Sequence, residues 1–252
     1  MEHEDACDGD NDGRGLGTAL GVEPEGAWLT KAADVVLGPA REAAEAEAAA
    51  VLAVAGHIAD VFAAGKRAFA VGAGHAQVFA MELCNRAGGL PGFVLMNLED
   101  LRSDKRDACW QLRDSEPERD PANGARLLDH YSVGTGDVVL IASNSGRNGA
   151  IVELAFECRR RAIYTAAFTS RRHSTAVPSR HPSGLRLLEV AGAVVDNHCP
   201  LGDATVEVPG AGRAGAASTV AFATLAQMLT IGVATILSQR GRTVPMIVSA
   251  NL

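Results

Sequence analysis

The sequence is poor in aromatic residues and cysteines, and it contains no run of more than three basic residues. Aromatic side chains make up 4% of its 252 residues, and the five cysteines form no C-x-x-C pair. An odd number of widely spaced cysteines argues against a disulfide framework or a structural zinc site, and it favours the reducing cytoplasm. Because no basic patch is present, we expect no nucleic-acid partner.

Acidic residues dominate only the first 25 positions. The chain carries 23 Lys and Arg against 30 Asp and Glu, a net charge of −7. Residues 1–25 hold eight acids and a single base, Arg14, so this segment alone accounts for −7. The other 227 residues hold 22 bases and 22 acids and are neutral. We predict a disordered acidic leader over 1–26 and one folded domain over 27–252.

Three features of the sequence bear on targeting, membrane insertion and metal binding. The N-terminus lacks the apolar segment of a signal peptide. The uncharged residues 214–237 are long enough to cross a membrane, but their polar residues favour a core or interface helix of a soluble protein. Residues 8–13 match the start of a calcium loop, D-x-D-x-D-G, yet its twelfth position is Ala19 rather than Glu. We therefore expect no bound metal and no membrane partner.

Short apolar strands alternate with helical segments along most of the chain. This alternation predicts a doubly wound, Rossmann-like α/β domain with a parallel sheet buried on both faces. A first helix from Trp28 is expected to stop at Gly38, and Pro39 suits the first turn of a second helix that ends near Ala64. The further predicted strands are 67–72, 93–96, 137–142, 163–168 and 204–208, and the further predicted helices are 75–87, 125–131, 148–161 and 216–239. Residues 187–196 are predicted as a helical turn and a strand, and the polar residues 98–123 receive no assignment.

Three predicted strands end in small, polar or glycine-rich loops, over residues 72–76, 143–148 and 169–174. Ligands of parallel α/β sheets bind at these carboxyl ends. The middle loop, Ser-Asn-Ser-Gly-Arg-Asn, combines hydroxyl groups and a glycine with the amino end of a helix, which is typical of a phosphate site. An Asn-capped helix after a serine-rich turn would have the same pattern. The loop alone leaves both interpretations open.

Neither common nucleotide-binding pattern is complete. The sequence contains no G-x-x-x-x-G-K-[ST] motif, and the G-x-G of the first loop has Gln77 where a dinucleotide fingerprint requires a third glycine. Glu99 does lie about where a ribose-binding acid would fall. A nicotinamide-dependent dehydrogenase is therefore a disfavoured alternative, and we expect no cofactor.

The loop over 143–148, placed after a buried strand, resembles the phosphate loop of the sugar isomerase (SIS) domain family. Residues 72–89, Gly-Ala-Gly-His-Ala-Gln-Val-Phe-Ala-Met-Glu-Leu-Cys-Asn-Arg-Ala-Gly-Gly, are similar to that family's first glycine loop and helix. His181-Pro-Ser-Gly-Leu-Arg-Leu, Asp196-Asn and Gly202-Asp-Ala resemble a group of SIS-domain proteins described as phosphosugar isomerases. The likeness extends from about Trp28 to Leu252.

This resemblance implies a five-stranded parallel sheet flanked by helices, assembled as a homodimer or homotetramer with sites between subunits. It also implies that the ligand is a phosphorylated sugar or amino sugar. In this family the middle loop holds the phosphate, and the glycines of the first loop let the chain approach the sugar. The residues that the resemblance places around the ligand are Gly72, Gly74, Ser143, Asn144, Ser145, Gly146, Asn148, Ser170 and Ser174.

Glu82 is the catalytic candidate that the resemblance implies, because Phe-Ala-Met-Glu-Leu is similar to the helix that carries a proposed catalytic glutamate in phosphoheptose isomerases. Aldose–ketose isomerisation needs a base that moves a proton between C1 and C2 through an enediol, and a carboxylate suits that task. The alternative is a helix acid paired with Arg86 four residues later. Phosphoheptose isomerases are expected to supply a histidine from their last long helix, but residues 216–239 contain none.

A second acid or base would have to be His75, in the glycine loop, or His198. Asp203 flanks the same late loop as His198 and is a further candidate for substrate contact. His181 is a candidate only through the resemblance, and His57 is expected to be a packed helix residue. Ala76 departs from related proteins, which tend to have serine there.

Two kinds of function stay open. One is an enzyme that acts on a phosphosugar, as an isomerase or as a lyase or deaminase on the same scaffold. The other is a non-catalytic phosphosugar sensor, although the first 65 residues lack the basic surface expected of a DNA-binding module. The basic residues near the predicted loops, which would attract a phosphate, are Arg147, Arg171 and Arg172.

Overall fold

Two helices begin the part of the chain that the computed structural model describes, which comprises residues 26–101, 116–249 and 251. Helix α1 (Ala27–Ala46) and helix α2 (Ala48–Ala63) meet at a bend of 66°. The predicted break at Gly38 is wrong, because Pro39 lies inside α1, which continues despite the missing backbone donor. Packing against the sheet determines where α1 ends and α2 begins. Helix α1 buries only Ala40 and Ala43, whereas α2 lies against the sheet. The predicted leader and the calcium-like residues 8–13 fall outside the described residues.

Five parallel strands form the central sheet in the order β2-β1-β3-β4-β5. They are β1 (Ala68–Gly72), β2 (Phe93–Leu95), β3 (Val138–Ala142), β4 (Tyr164–Thr169) and β5 (Ala193–Asp196). Alternate residues of β1 and β3 enter two separate apolar cores, one on each face of the sheet. This arrangement confirms the predicted α/β class with a five-stranded parallel sheet.

Helices cover both faces of this sheet. They are α3 (Gln77–Leu83), α4 (Glu116–Arg119), α5 (Ala122–His130), α6 (Gly149–Arg160), α7 (Arg171–Thr175), α8 (Leu187–Val190) and α9 (Ser218–Gln239). Helices α2, α3 and α9 pack on one face, and α5, α6 and α8 pack on the other. The helix predicted over 75–87 is shorter than expected. A 3-10 turn occupies Gly74–Ala76, and α3 ends where Cys84 adopts an extended backbone.

An antiparallel hairpin lies outside the main sheet. Strand β6 (Ala204–Val208) pairs with β7 (Gly212–Ala216). The first of these strands was predicted, but the second was not, because Gly-Arg-Ala-Gly-Ala lacks the alternating pattern of a strand. The hairpin packs closely on α1, since a Cβ on Gly215 would lie 2.8 Å from Val36 Cγ2.

Helix α9 is long and apolar enough to cross a membrane, and α1 with α2 would be a second such segment if the bent pair were counted as one. In the structure one side of α9 packs in the protein interior. Phe222, Leu225, Leu229 and Val233 are fully buried in the core that α2 and α3 share. This placement matches the expected core helix.

The chain after α9 folds back over the loop that follows α3. The Gly88 amide donates to the Ile247 carbonyl at 2.8 Å, and the Ile247 amide donates to the Gly89 carbonyl at 2.9 Å. The three described cysteines, Cys84, Cys158 and Cys199, are free and buried. Burial raises the pKa of Cys84 and of Cys158 to about 12, which makes these thiols poor nucleophiles.

Candidate functional site

The carboxyl ends of β1 and β3 are neighbours in the sheet. Gly72 pairs with Ala142 in their register, and β2 lies on the far side of β1. The strand order therefore reverses between β1 and β3, and open α/β sheets bind their ligands in the crevice at such a point. Two loops meet at this crevice: the glycine loop (residues 72–76) and the serine loop (residues 143–148).

The glycine loop turns back sharply on itself. A Cβ on Gly72 would lie 2.2 Å from the Ala76 carbonyl oxygen, so only glycine fits there. Gln77 holds this turn, because its side chain accepts from the Gly72 amide at 2.8 Å and donates to the Met96 carbonyl at 3.0 Å. His75 is exposed on the 3-10 turn, and its ring makes no hydrogen bond within the described part of the chain.

The serine loop is held from within. Ser143 Oγ accepts the Gly146 amide at 3.2 Å, so the amide of this predicted ligand-site residue is already used inside the loop. Gly146 has a φ of +58°, and a Cβ there would lie 3.1 Å from Thr169 Oγ1 and 3.2 Å from Ser174 Oγ. Ser145 is half-buried, and its hydroxyl makes no hydrogen bond to any described residue.

The amino end of α6 lacks a side-chain cap. Asn148 occupies the N-cap position, but its Nδ2 donates to Glu118 Oε2 at 2.8 Å and its Oδ1 accepts from Arg180 at 3.0 Å. The interpretation of this segment as a plain Asn-capped helix is therefore wrong. Within the described residues, no hydrogen bond uses the amides of Gly149 or Ala150. Unused donors at the positive end of a helix dipole favour an anion.

Two guanidinium groups lie beside the serine loop. The Arg180 amide donates to the Arg147 carbonyl at 2.8 Å. Burial, together with the charge of Arg180, lowers the pKa of Arg147. In the described part of the chain neither arginine pairs with a carboxylate, and Arg147 Nε and Ser174 Oγ are buried without a hydrogen-bond partner. The serine loop thus combines positive charge with unsatisfied donors.

The ends of β4 and β5 extend the same edge. Ser170 Oγ accepts the His173 amide at 2.9 Å and donates to the Cys199 carbonyl at 2.7 Å, so its hydroxyl is fully used as the cap of α7. Asn144 joins the serine loop to both strands, because its side chain accepts from Asn197 at 2.9 Å and lies 3.3 Å from His173 Nδ1. Burial lowers the pKa of His173, against the opposing charge of Asp203.

Glu82 lies on α3 and contacts α9. It forms an ion pair with Arg86 and accepts a hydrogen bond from Gln227 Nε2 at 2.7 Å. The pairing with Arg86 is the arrangement given above as the alternative to catalysis. No described hydrogen bond or ion pair joins Glu82 to the glycine loop or the serine loop. The residue of α9 that meets Glu82 is Gln227, an amide without acid–base chemistry.

His198 bridges two glutamates at the break between α1 and α2. Its ring nitrogens lie 3.1 Å from Glu42 Oε1 and 3.2 Å from Glu47 Oε1. Burial disfavours the charged ring, but the hydrogen bonds to Glu47 and Glu42 and the charge of Asp196 outweigh it and raise the pKa of His198.

The remaining candidates have structural partners. Asp203 accepts both the amide and the hydroxyl of Ser218, at 2.8 and 2.7 Å, at the amino end of α9. His181 hydrogen-bonds Glu153 at 2.7 Å. His57 stacks on Tyr164 with ring centroids 4.2 Å apart, as expected for a packed residue.

Glu118 and Arg180 are site residues that the sequence analysis missed. Glu118 accepts from Asn148 and from the Gly74 amide, and it therefore joins the two loops. Burial raises its pKa, and those two hydrogen bonds only partly offset the shift. Neither residue lies in a motif or a periodic segment, so no local signal marked them. Among the described residues, no group of three His, Cys, Asp or Glu side chains is arranged to hold a metal ion.

Comparison with known proteins identifies relatives across most of the chain. A family model described as SIS domain matches residues 33–170. A UPF0309 protein of Halalkalibacterium halodurans is 34% identical over 84% of this chain and 86% of its own length. A UPF0309 protein of Streptomyces coelicolor is also 34% identical, over 91% of this chain and 90% of its own.

A solved structure shares the fold. The phosphoheptose isomerase of Neisseria gonorrhoeae superposes with a TM-score of 0.55, over 82% of this chain and 97% of its own. Its sequence is 15% identical to this one.

Proposed function

The chain belongs to the SIS domain family, and on this premise we propose that it binds a phosphorylated sugar or amino sugar at the serine loop. One observation carries the proposal: the amino end of α6 has unused amides and no side-chain cap. The free hydroxyl of Ser145 lies beside it, as do Arg147 and Arg180, neither of which pairs with a described carboxylate. A phosphate supplies acceptors and negative charge to all of these groups at once.

The free energies of the electrostatic interactions favour a phosphate over a neutral group at this position. The helix dipole alone favours an anion by about 0.3–1 kcal/mol, and a hydrogen bond to a charged group contributes roughly 1.5–3 kcal/mol. The acidity of the sequence does not oppose this binding, because residues 1–25 carry the entire net charge of −7.

The reaction we propose is aldose–ketose isomerisation through an enediol. The shared fold with a phosphoheptose isomerase supports this choice, as does the acidic side chain of Glu118 at the crevice. Moving a proton between C1 and C2 requires an acid–base group and a bound phosphate, and it requires no redox cofactor. A lyase or deaminase reaction on the same scaffold would use the same phosphate site.

A non-catalytic sensor is the second candidate, and the surroundings of Glu82 favour it. That glutamate is engaged by Arg86 and Gln227, and α9 contains no histidine. A sensor would bind phosphosugars and convert none of them.

A thermal-shift screen against hexose, heptose and N-acetylhexosamine phosphates, with NAD included, tests the binding proposal. We expect a phosphosugar to stabilise the protein, by about 2.7 kcal/mol at a hundredfold excess over its Kd. Ser145→Asp should abolish this stabilisation without lowering the melting temperature, because its carboxylate would satisfy the amides of α6 in place of phosphate.

Ser145→Ala is the control, since it removes the hydroxyl and adds no charge; it should weaken binding only partly. Undiminished stabilisation of Ser145→Asp by phosphosugars would refute the site, and stabilisation by NAD alone would refute the ligand class. We also propose that the protein works in the cytoplasm as a homodimer or homotetramer, as the resemblance implies.

A further inference from the structure

We propose that Glu118, on α4, is the base that transfers the proton at this site, an inference that rests on the proposed isomerisation. Its Oε2 lies 2.8 Å from Asn148 Nδ2 on the serine loop. Its Oε1 would lie 3.4 Å from a Cβ on Gly74, and the Gly74 amide hydrogen-bonds the carboxylate. The carboxylate therefore spans the two loops, one proposed to hold the phosphate and the other to approach the sugar carbons.

The carboxylate is also held in position. Asn148 donates to Glu118 through Nδ2, while Arg180 donates to Asn148 Oδ1 at 3.0 Å. This chain of groups fixes Glu118 relative to the amino end of α6, where the phosphate would bind. A base at a fixed distance from the phosphate acts repeatedly on the same substrate carbon, and such positioning is a large part of catalytic power.

The environment of Glu118 suits a base. The side chain is half-buried; burial raises its pKa, and the charge of Glu99 opposes the hydrogen bonds from Asn148 and Gly74 that would lower it. A carboxylate whose proton affinity is increased in this way accepts a proton more readily from carbon. Glu82, by contrast, is ion-paired with Arg86, and no described hydrogen bond joins it to either loop.

The proposed isomerisation requires no reactant other than the sugar phosphate and Glu118. Glu118 takes the C2 proton of the open-chain aldose phosphate, the C2–H electron pair forms the C1=C2 bond, and the carbonyl π pair moves to O1. The proton on O2 then passes to O1, and an electron pair on O2 forms the C2=O2 bond. The C1=C2 pair takes the proton of Glu118 at C1, which yields the ketose and restores the carboxylate.

Proton exchange with solvent tests the proposal. The full chain is incubated in D2O with each sugar phosphate that stabilises it, and deuterium at C1 and C2 is measured by NMR. We expect Glu118→Gln to keep the thermal stabilisation by the phosphosugar and to lower exchange and turnover by at least about 100-fold. Added formate should partly restore exchange in Glu118→Ala, which a purely structural role would not allow.

Glu153→Gln is the matched control, because Glu153 is another half-buried, hydrogen-bonded glutamate, and its described partners are His181 and Arg160 rather than the two loops. It should exchange at the wild-type rate. Wild-type exchange in Glu118→Gln, loss of exchange in Glu82→Gln instead, or absence of exchange in the wild type with every stabilising phosphosugar would overturn the inference. Failure of the phosphate site itself is seen separately, as unchanged phosphosugar binding in Ser145→Asp.

Discussion

Gly72 ends β1 so close to the following turn that an added Cβ would lie 2.2 Å from a backbone oxygen. A flexible side chain could move away from such a contact, but the backbone of Ala76 can move only if the whole turn moves. Gln77 ties this same turn to the Met96 carbonyl, so the turn has little freedom to adjust. The absence of a Cβ at Gly72 therefore allows the glycine loop to take this position.

We predict that Gly72→Ala lowers the free energy of unfolding by about 3 kcal/mol, the upper end of the usual cost of forcing extra volume into a packed region. Urea denaturation measures this change. Gly56→Ala is the control, since a Cβ on Gly56, inside α2, meets no atom within 4 Å and should stabilise the helix by about 0.5–1 kcal/mol. Equal effects of the two substitutions would contradict this account.

The site residues differ in how readily the sequence reveals them. Ser145 and Gly74 were identifiable because small polar residues directly follow apolar strands. Glu118 and Arg180 reach the crevice only through folding, since each is about 30 positions from Asn148, the residue they share. Contacts at such separations leave no local pattern.

The imidazole of His198 contacts both sides of the junction between α1 and α2. His198 faces Glu42 on α1 and Glu47 at the bend, and its own amide donates to Asp196 Oδ1 at 2.9 Å. The pKa of His198 is raised because of this position between acidic groups. The ring thus links the end of β5 to the N-terminal helices.

We predict that this link weakens as the pH rises. Because the folded protein raises the pKa of His198 above the ordinary 6.5, its contribution to stability is complete below pH 6.5 and is lost as the pH passes the folded value. The unfolding free energies of the wild type and His198→Asn, which tolerates the positive φ, should therefore differ most below pH 6.5 and converge as the pH rises past the folded value. Chemical denaturation across this range measures the difference. A Glu42→Gln/Glu47→Gln variant should lack most of the pH dependence; a gap that widened with pH would disprove the assignment.

The positions of the strands could be predicted from the sequence, but the boundary between the first two helices could not. Strands β1 and β3 are buried on both faces, so each is a short apolar run flanked by polar or glycine residues. The break at Glu47 carries no proline or glycine, because packing against the sheet sets it. Pro39 is a breaker in the sequence and yet lies within α1.

The helical layer of α2, α3 and α9 exposes large apolar side chains. Leu52 is 56% exposed, Met81 58% and Ile231 64%. A contiguous apolar patch marks a contact between protein molecules, and we propose that these three side chains lie in such a contact. They suit the homodimer or homotetramer that the family resemblance implies.

We predict that Ile231→Lys reduces the assembly to a smaller species at micromolar concentration, because burying a lysine in an apolar contact is unfavourable. Light scattering coupled to size-exclusion chromatography measures the mass. Leu201→Lys, at a loop position that is 51% exposed, should leave the mass unchanged. A wild-type protein that runs as a monomer would refute the expected assembly.

The position of α9 has a consequence for how the protein is made. Its apolar residues complete the core begun by α2, yet it starts 155 residues after α2 ends at Ala63. A ribosome adding about 5–20 residues per second needs roughly 8–30 s to cover that distance. Throughout that interval Val51, Val54 and Ile58 lack the apolar contacts that α9 supplies. The nascent chain is therefore a natural client for chaperones that shield apolar segments until synthesis ends.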